Sequence, residues 1–200
     1  MRKKYLLYAG CAIPAVFFFT TFICGLVQGG YNHLSRQVSE LGTIGTNSQY
    51  LFTAGLLLSS FLSVLFIIGL LSACRQLQLS VWPVLPIISF SISIAGAAIF
   101  PLPLPMHMIM GSPAFLLLLS PLLGLLMWPK RQLLANVKGM SAVSLLIMTL
   151  GFSAYLPDLL ASYPGLKQRF FHAGWVVWFV YLGIAFSRAI ENNRIKSGRA

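Results

Sequence analysis

The chain has 200 residues, 58% of them apolar and 8% charged, with a mean hydropathy of +0.83. A soluble domain carries roughly a quarter charged residues to stay in water, so this composition excludes one and points to an all-α membrane protein. The formal net charge of +11 would suit nucleic acid if the basic residues shared one face. They fall instead in short clusters between apolar runs of about 20 residues, so no nucleic-acid partner is expected.

The chain opens on MRKK and runs straight into apolar sequence. Tyr8-Ala9-Gly10-Cys11 has the outline of a lipoprotein cleavage box, but few apolar residues precede Cys11 and the run continues through Val27 without a small-x-small exit. An uncleaved first helix is expected. Six spans can then be drawn, each able to cross roughly 30 Å of hydrocarbon: residues 5–28, 49–73, 81–100, 107–128, 140–162 and 170–190. In lipid every backbone amide needs an internal partner, so the spans must be helices, packed as a six-helix bundle forming a single domain over 1–200. Thr46 or Asn47 can cap the second helix. Pro14, Pro83, Pro86, Pro113, Pro121 and Pro157 each remove a backbone donor and should interrupt their helices. Ser89, Ser91, Ser93, Ala95, Gly96 and Ala97 make one helix rich in small residues, which reads as a packed helix interface. Cys11, Cys24 and Cys74 have no loop partner, and three reduced thiols are expected.

Basic residues set the orientation. Arg2, Lys3, Lys4, Arg75, Lys130, Arg131, Lys138, Arg188, Arg194, Lys196 and Arg199 fall on one side of this topology, and only Arg36, Lys167 and Arg169 on the other. The positive-inside rule therefore puts both termini in the cytoplasm and the loops after the first, third and fifth helices outside.

The longest polar run between spans, Tyr31 to Asn47 (YNHLSRQVSELGTIGTN), reads as a lid (30–47) over an outward-facing pocket. His33, Glu40, His107, Asp158, Arg169 and His172 all map to that level of the membrane. Arg36 and Glu40 are spaced i,i+4, as are Ser35 and Ser39, and Arg169 and His172 i,i+3, so each pair shares a helical face. An ionisable group below the headgroup level is costly and normally partnered; Arg169 is expected to pair with Asp158 or Glu40. His107 lies in an otherwise apolar connector, PLPLPMHMIMG, where it serves no solubility purpose. Glu191 sits among basic residues near the other end, where a surface ion pair accounts for it.

Three regions carry a resemblance: Tyr31 to Gly42, the Phe100-Pro101 ending of the third span followed by His107, and Gly165-Leu166-Lys167-Gln168-Arg169 opening the sixth. Their order and placement resemble the domain of unknown function 998 family, six-helix membrane proteins of prokaryotes, over nearly the whole chain. The resemblance implies a multi-pass protein of the prokaryotic inner membrane and singles out Ser39, Glu40, Leu41, Gly42, Pro101, His107, Gln168 and Arg169. Relatives often place an acid shortly after the Phe-Pro pair, where this chain has Leu102, Pro103 and Leu104, so no carboxylate is expected beside His107.

Two functions from different classes fit these residues. One is a binding protein in which His33, Glu40, His107, Arg169 and His172 line a pocket for an anionic group, most simply a lipid phosphate, with membrane lipids as partners. The other is a hydrolase or transferase acting on a lipid at the outer leaflet, drawing its catalytic groups from Ser39, Glu40, His107 and His172. A transporter fits less well, because there is no internal repeat and no charge at the middle of a span; a homo-oligomer would supply the missing half. With no HExxH and no closely spaced histidines, neither metal nor cofactor is expected.

Overall fold

The computed structural model describes residues 2–128, 134–156 and 158–197. Among them there is no strand, and six stretches are long and apolar enough to cross a membrane: Lys4–Gln28, Gln49–Gln76, Trp82–Ile99, Met106–Met127, Val137–Tyr155 and Pro164–Asn193. Lys130, Arg131 and Arg199 of the charge asymmetry, and the expected break at Pro157, lie outside the described residues.

The α-helices are α1 (Ala9–Gln28), α2 (Gln49–Gln76), α3 (Ile87–Ile99), α4 (Met106–Gly111), α5 (Leu119–Met127), α6 (Val137–Leu150) and α7 (Pro164–Ser197). Several spans are composite. A 3-10 turn over Ser112–Leu118, with Pro113 in its first turn, joins α4 to α5 inside the fourth span, and another over Gly151–Tyr155 finishes the fifth. The fifth span therefore stops well short of the expected residue 162. Leu156 precedes a proline, whose ring excludes the helical region for the residue before it, and its backbone is extended (φ −101°, ψ 97°). The sixth span begins at Pro164 rather than Phe170, because proline is pre-organised for the first helical position. Neither Thr46 nor Asn47 caps α2: the N-cap is Ser48, and the Thr46 hydroxyl donates to the Thr43 carbonyl at 2.8 Å.

The chain's two ends meet at one rim, where Lys4 Nζ lies 3.1 Å from the Glu191 carboxylate. The 30–47 lid occupies the other rim. Between them, α7 supplies the core, packing on α1, α2 and α6. Its Trp175, Trp178, Phe179 and Phe186 are buried, and Phe90 of α3 sits 4.8 Å from the Trp175 ring and 5.0 Å from the Phe179 ring. Helix pairs otherwise meet through small residues, since lipid offers no hydrophobic drive to bring them together. Ser60 of α2 donates to the Ser91 carbonyl at 2.9 Å, and the Ser63 and Ser91 hydroxyls bond directly, so Ser91 of α3 serves its α2 interface, while Gly96 lies against Met110 of α4. Cys11, Cys24 and Cys74 are free thiols.

The N-terminal span and α7 also approach closely. A methyl on Gly183 would sit 2.7 Å from the Leu7 carbonyl oxygen and 3.6 Å from Gly10 Cα, and one on Gly10 would sit 2.6 Å from the Phe179 carbonyl oxygen. These obstacles are backbone and cannot rotate away. Gly183→Leu is expected to lower stability by about 1–3 kcal/mol through overpacking, read as an earlier unfolding midpoint in a detergent titration; an unchanged midpoint would mean that α1 and α7 do not approach this closely.

Candidate functional site

The lid is a folded unit. Its first turn is held by Asn32, whose Oδ1 accepts from the Leu34 amide at 2.8 Å, and its second half is a 3-10 helix over Val38–Gly42. Glu40 organises that helix: one carboxylate oxygen accepts from the Gln37 amide at 2.7 Å, and the other takes Arg36 Nε at 2.8 Å, the i,i+4 pair anticipated from spacing. Ser39 lies on the same turn.

Arg169, on the second turn of α7, ties this unit to the bundle. Its Nη1 donates to the Arg36 carbonyl at 3.1 Å and the Gly165 carbonyl at 3.0 Å; its Nη2 donates to the Tyr31 hydroxyl at 3.3 Å and to His33 Nδ1 at 3.0 Å. It forms no ion pair with Glu40 or Asp158, contrary to expectation: Glu40 is engaged by Arg36, and Asp158 is exposed. The guanidinium is solvated instead by carbonyls, a phenol and an imidazole, and its terminal donors are occupied. Three backbone links complete the docking. The Leu166 amide donates to the Leu34 carbonyl at 2.9 Å, the Val38 amide to Gln168 Oε1 at 2.7 Å, and the Ile44 amide to the Leu102 carbonyl at 2.8 Å. The last joins the lid to the connector that carries His107, so the three regions meet on one rim.

Close approach needs glycine at two places. A methyl on Gly165 would collide with the Arg36 carbonyl oxygen and lie 2.7 Å from that of His33, and one on Gly25 of α1 would sit 2.8 Å from His33 Nε2.

The histidines have separate surroundings. Because arginine only donates, His33 Nδ1 must accept, which makes the ring neutral with its proton on Nε2. Burial, reinforced by the Arg169 guanidinium, holds its pKa below the usual 6.5. Burial likewise pushes the Tyr31 phenol up, against the opposing pull of Arg169. His107 is buried on α4 and bonds through Nδ1 to the Phe100 carbonyl at 2.8 Å, closing the connector on itself. His172 lies one turn below Arg169, its Nδ1 accepting from Trp175 Nε1 at 3.1 Å and its ring 4.9 Å from Phe17. Neither His107 nor His172 shares a bond with His33, and no serine hydroxyl is bonded to a histidine among the described residues. No cluster of three or more His, Cys, Asp or Glu suited to a metal ion occurs among them either.

A family profile described as Protein of unknown function (DUF998) matches residues 11–185, from Cys11 in α1 to Ala185 in α7. The chain belongs to this family. No curated protein and no solved structure matches it. Within this DUF998 chain, the three regions noted in the sequence are the three that touch at the lid rim. Residue reading alone passed over Tyr31, Gly25 and Gly165: their roles lie in long-range contacts with carbonyls and a ring, which leave no spacing signal. Lys167 escaped for the same reason. It is only 3% exposed, and its ammonium donates to the Leu156 carbonyl at 2.8 Å.

Two outcomes follow for the lid. Removing the guanidinium in Arg169→Ala takes away charge-assisted bonds worth about 1.5–3 kcal/mol each before relaxation, so amide exchange in 31–47 should rise while α2 and α6 stay protected; unchanged exchange in the lid would disprove the tie. His33 is neutral when docked, whereas an undocked histidine takes up a proton below pH 6.5. Docking free energy should therefore be complete above pH 6.5 and decline as pH falls below it, and His33→Asn should flatten the pH dependence of lid exchange.

Proposed function

We propose that this protein sits in the prokaryotic inner membrane with both termini cytoplasmic and the lid rim outward, and that this rim binds an anionic group, most simply the phosphate of a membrane lipid. The positive-inside asymmetry supports the orientation. One observation carries the ligand class: Lys167 is a buried ammonium that uses one of three donors and, among the described residues, has no carboxylate partner. A buried cation without a counter-ion is costly. Lys167 also lies in the first turn of α7, which contains no acid, so the positive end of the helix dipole adds to its charge. An anion from the headgroup layer is the partner that would relieve both. Arg36 adds a second cation at this rim: it leans over the Tyr31 ring, 5.3 Å from the centroid, is 39% exposed, and engages Glu40 through Nε alone, leaving its terminal nitrogens to a ligand. Arg169, Glu40 and His33 hold the rim in shape; His107 and His172 extend the candidate set to the connector and to α7.

The test is the lipid that co-purifies with the protein. Lys167→Gln keeps a hydrogen-bonding side chain, one atom shorter, and removes its charge, and should reduce the anionic fraction of bound phospholipid several-fold by mass spectrometry, with Arg36→Gln giving a smaller loss. An anionic fraction identical to wild type in both variants would falsify the headgroup reading.

A further inference from the structure

His172 has a hydrogen-bond donor that nothing among the described residues accepts. Trp175 Nε1 can only donate, so His172 Nδ1, which receives that bond at 3.1 Å, carries no proton, and the neutral ring must carry it on Nε2. Nε2 is buried and has no partner. Within a bilayer no water waits to relieve such a group, so an unmatched N–H is expensive and rarely kept without purpose.

Ser93 of α3 is a second such group. Elsewhere in these helices a hydroxyl folds back on the carbonyl four residues earlier, as Thr21 does to Phe17, Ser59 to Gly55, Thr149 to Leu145 and Ser187 to Gly183. Ser93 is 3% exposed, yet its Oγ makes no such bond. Helix geometry puts the two groups at a similar depth. Phe90 and Trp175 touch across the α3–α7 gap, ring centroids 4.8 Å apart. Ser93 is one turn beyond Phe90, and His172 one turn before Trp175 on a helix running the opposite way. Both therefore fall on the lid side of that contact, where a serine and an imidazole replace the two large rings. Above them α7 presents Gln168 and Arg169, which hold the lid, and Phe17 of α1 forms an aromatic wall beside His172.

We propose that His172 Nε2–H, with the Ser93 hydroxyl, forms a binding site beneath the lid for an uncharged carbonyl oxygen, that of an acyl ester in a membrane lipid. The donor pair calls for an oxygen acceptor. The aromatic wall and the bilayer setting call for one attached to an apolar chain, and two neutral donors suit one without charge, the terminal donors of Arg169 above being occupied by the lid. This inference does not depend on the anionic headgroup reading.

Diester and dialkyl-ether phosphatidylglycerol share a headgroup and differ in the carbonyl. Purified full-length protein, offered equal amounts of the two and analysed by native mass spectrometry, should retain the diester about five- to tenfold over the diether, the ratio expected for one hydrogen bond to a buried donor. His172→Phe keeps the ring volume and should bring that ratio to one, while leaving intact any preference for phosphatidylglycerol over phosphatidylcholine, which reports on the rim. Ser93→Ala should lower the ratio in a protein of unchanged unfolding midpoint, and it decides the matter if His172→Phe does not fold. Equal retention of diester and diether by wild type, with His172 satisfied by water, overturns the site; so does a diester preference that survives both substitutions.

Discussion

Arg169 is a fixed cation at the start of the sixth span with no carboxylate beside it among the described residues, and the lid has its shape because that charge must be solvated by protein. Four acceptors surround the guanidinium: the carbonyls of Arg36 and Gly165, the Tyr31 hydroxyl and His33 Nδ1. Three of these come from a stretch of six lid residues, so solvating the arginine winds that stretch around it. The Tyr31 hydroxyl then donates on to the Gln37 carbonyl at 2.7 Å, and Glu40 steadies Arg36 from the far side. A carboxylate would have neutralised Arg169 with less chain but would have left the lid unattached. Distributing the solvation over a loop makes the arginine a structural centre, and it leaves Glu40 to pair with Arg36.

How much of this could be read in the sequence depends on how local each cause is. The six spans are legible because hydrocarbon thickness sets a minimum length for an apolar run, and the Arg36–Glu40 pair because helical spacing sets its reach. The 3-10 segments at Ser112–Leu118 and Gly151–Tyr155 were not legible, since they answer to neighbours: Gly151 lets the backbone of Phe171 pass where a methyl would lie 2.9 Å from its amide nitrogen. The partner of Arg169 was misjudged for a related reason. Charge complementarity is visible in a string of letters, whereas a carbonyl acceptor is present at every residue and so identifies none. His107 stood out because it is polar in an apolar connector, and its bond to the Phe100 carbonyl shows what that connector gains: a side chain that closes the turn between two spans.

Polar groups in the rest of the bundle sort into two kinds. Ser60, Ser63 and Ser91 satisfy one another across α2 and α3, Ser144 donates to the Gly174 carbonyl at 2.6 Å, and Trp178 Nε1 donates to Ser120 at 2.7 Å. These bonds replace the hydrophobic drive that lipid cannot give. Against that background of satisfied groups, His172 Nε2, Ser93 Oγ, Ser141 Oγ and Ser153 Oγ are the exceptions among the described residues, and the first two, one turn to the lid side of the Phe90–Trp175 contact, are a feature of the interior distinct from the charged rim.

The intimate seam between Gly10 and Gly183 also bears on how the molecule is made. Ribosomes deliver α1 well before α7, so the segment that must nestle against the earlier helix emerges only after the spans that lie between them. Until then the lid has neither Arg169 nor Gln168 to grip, and the glycine face of α1 stands open to lipid. Closure of the bundle thus waits for α7, and both rims are completed by that single arrival.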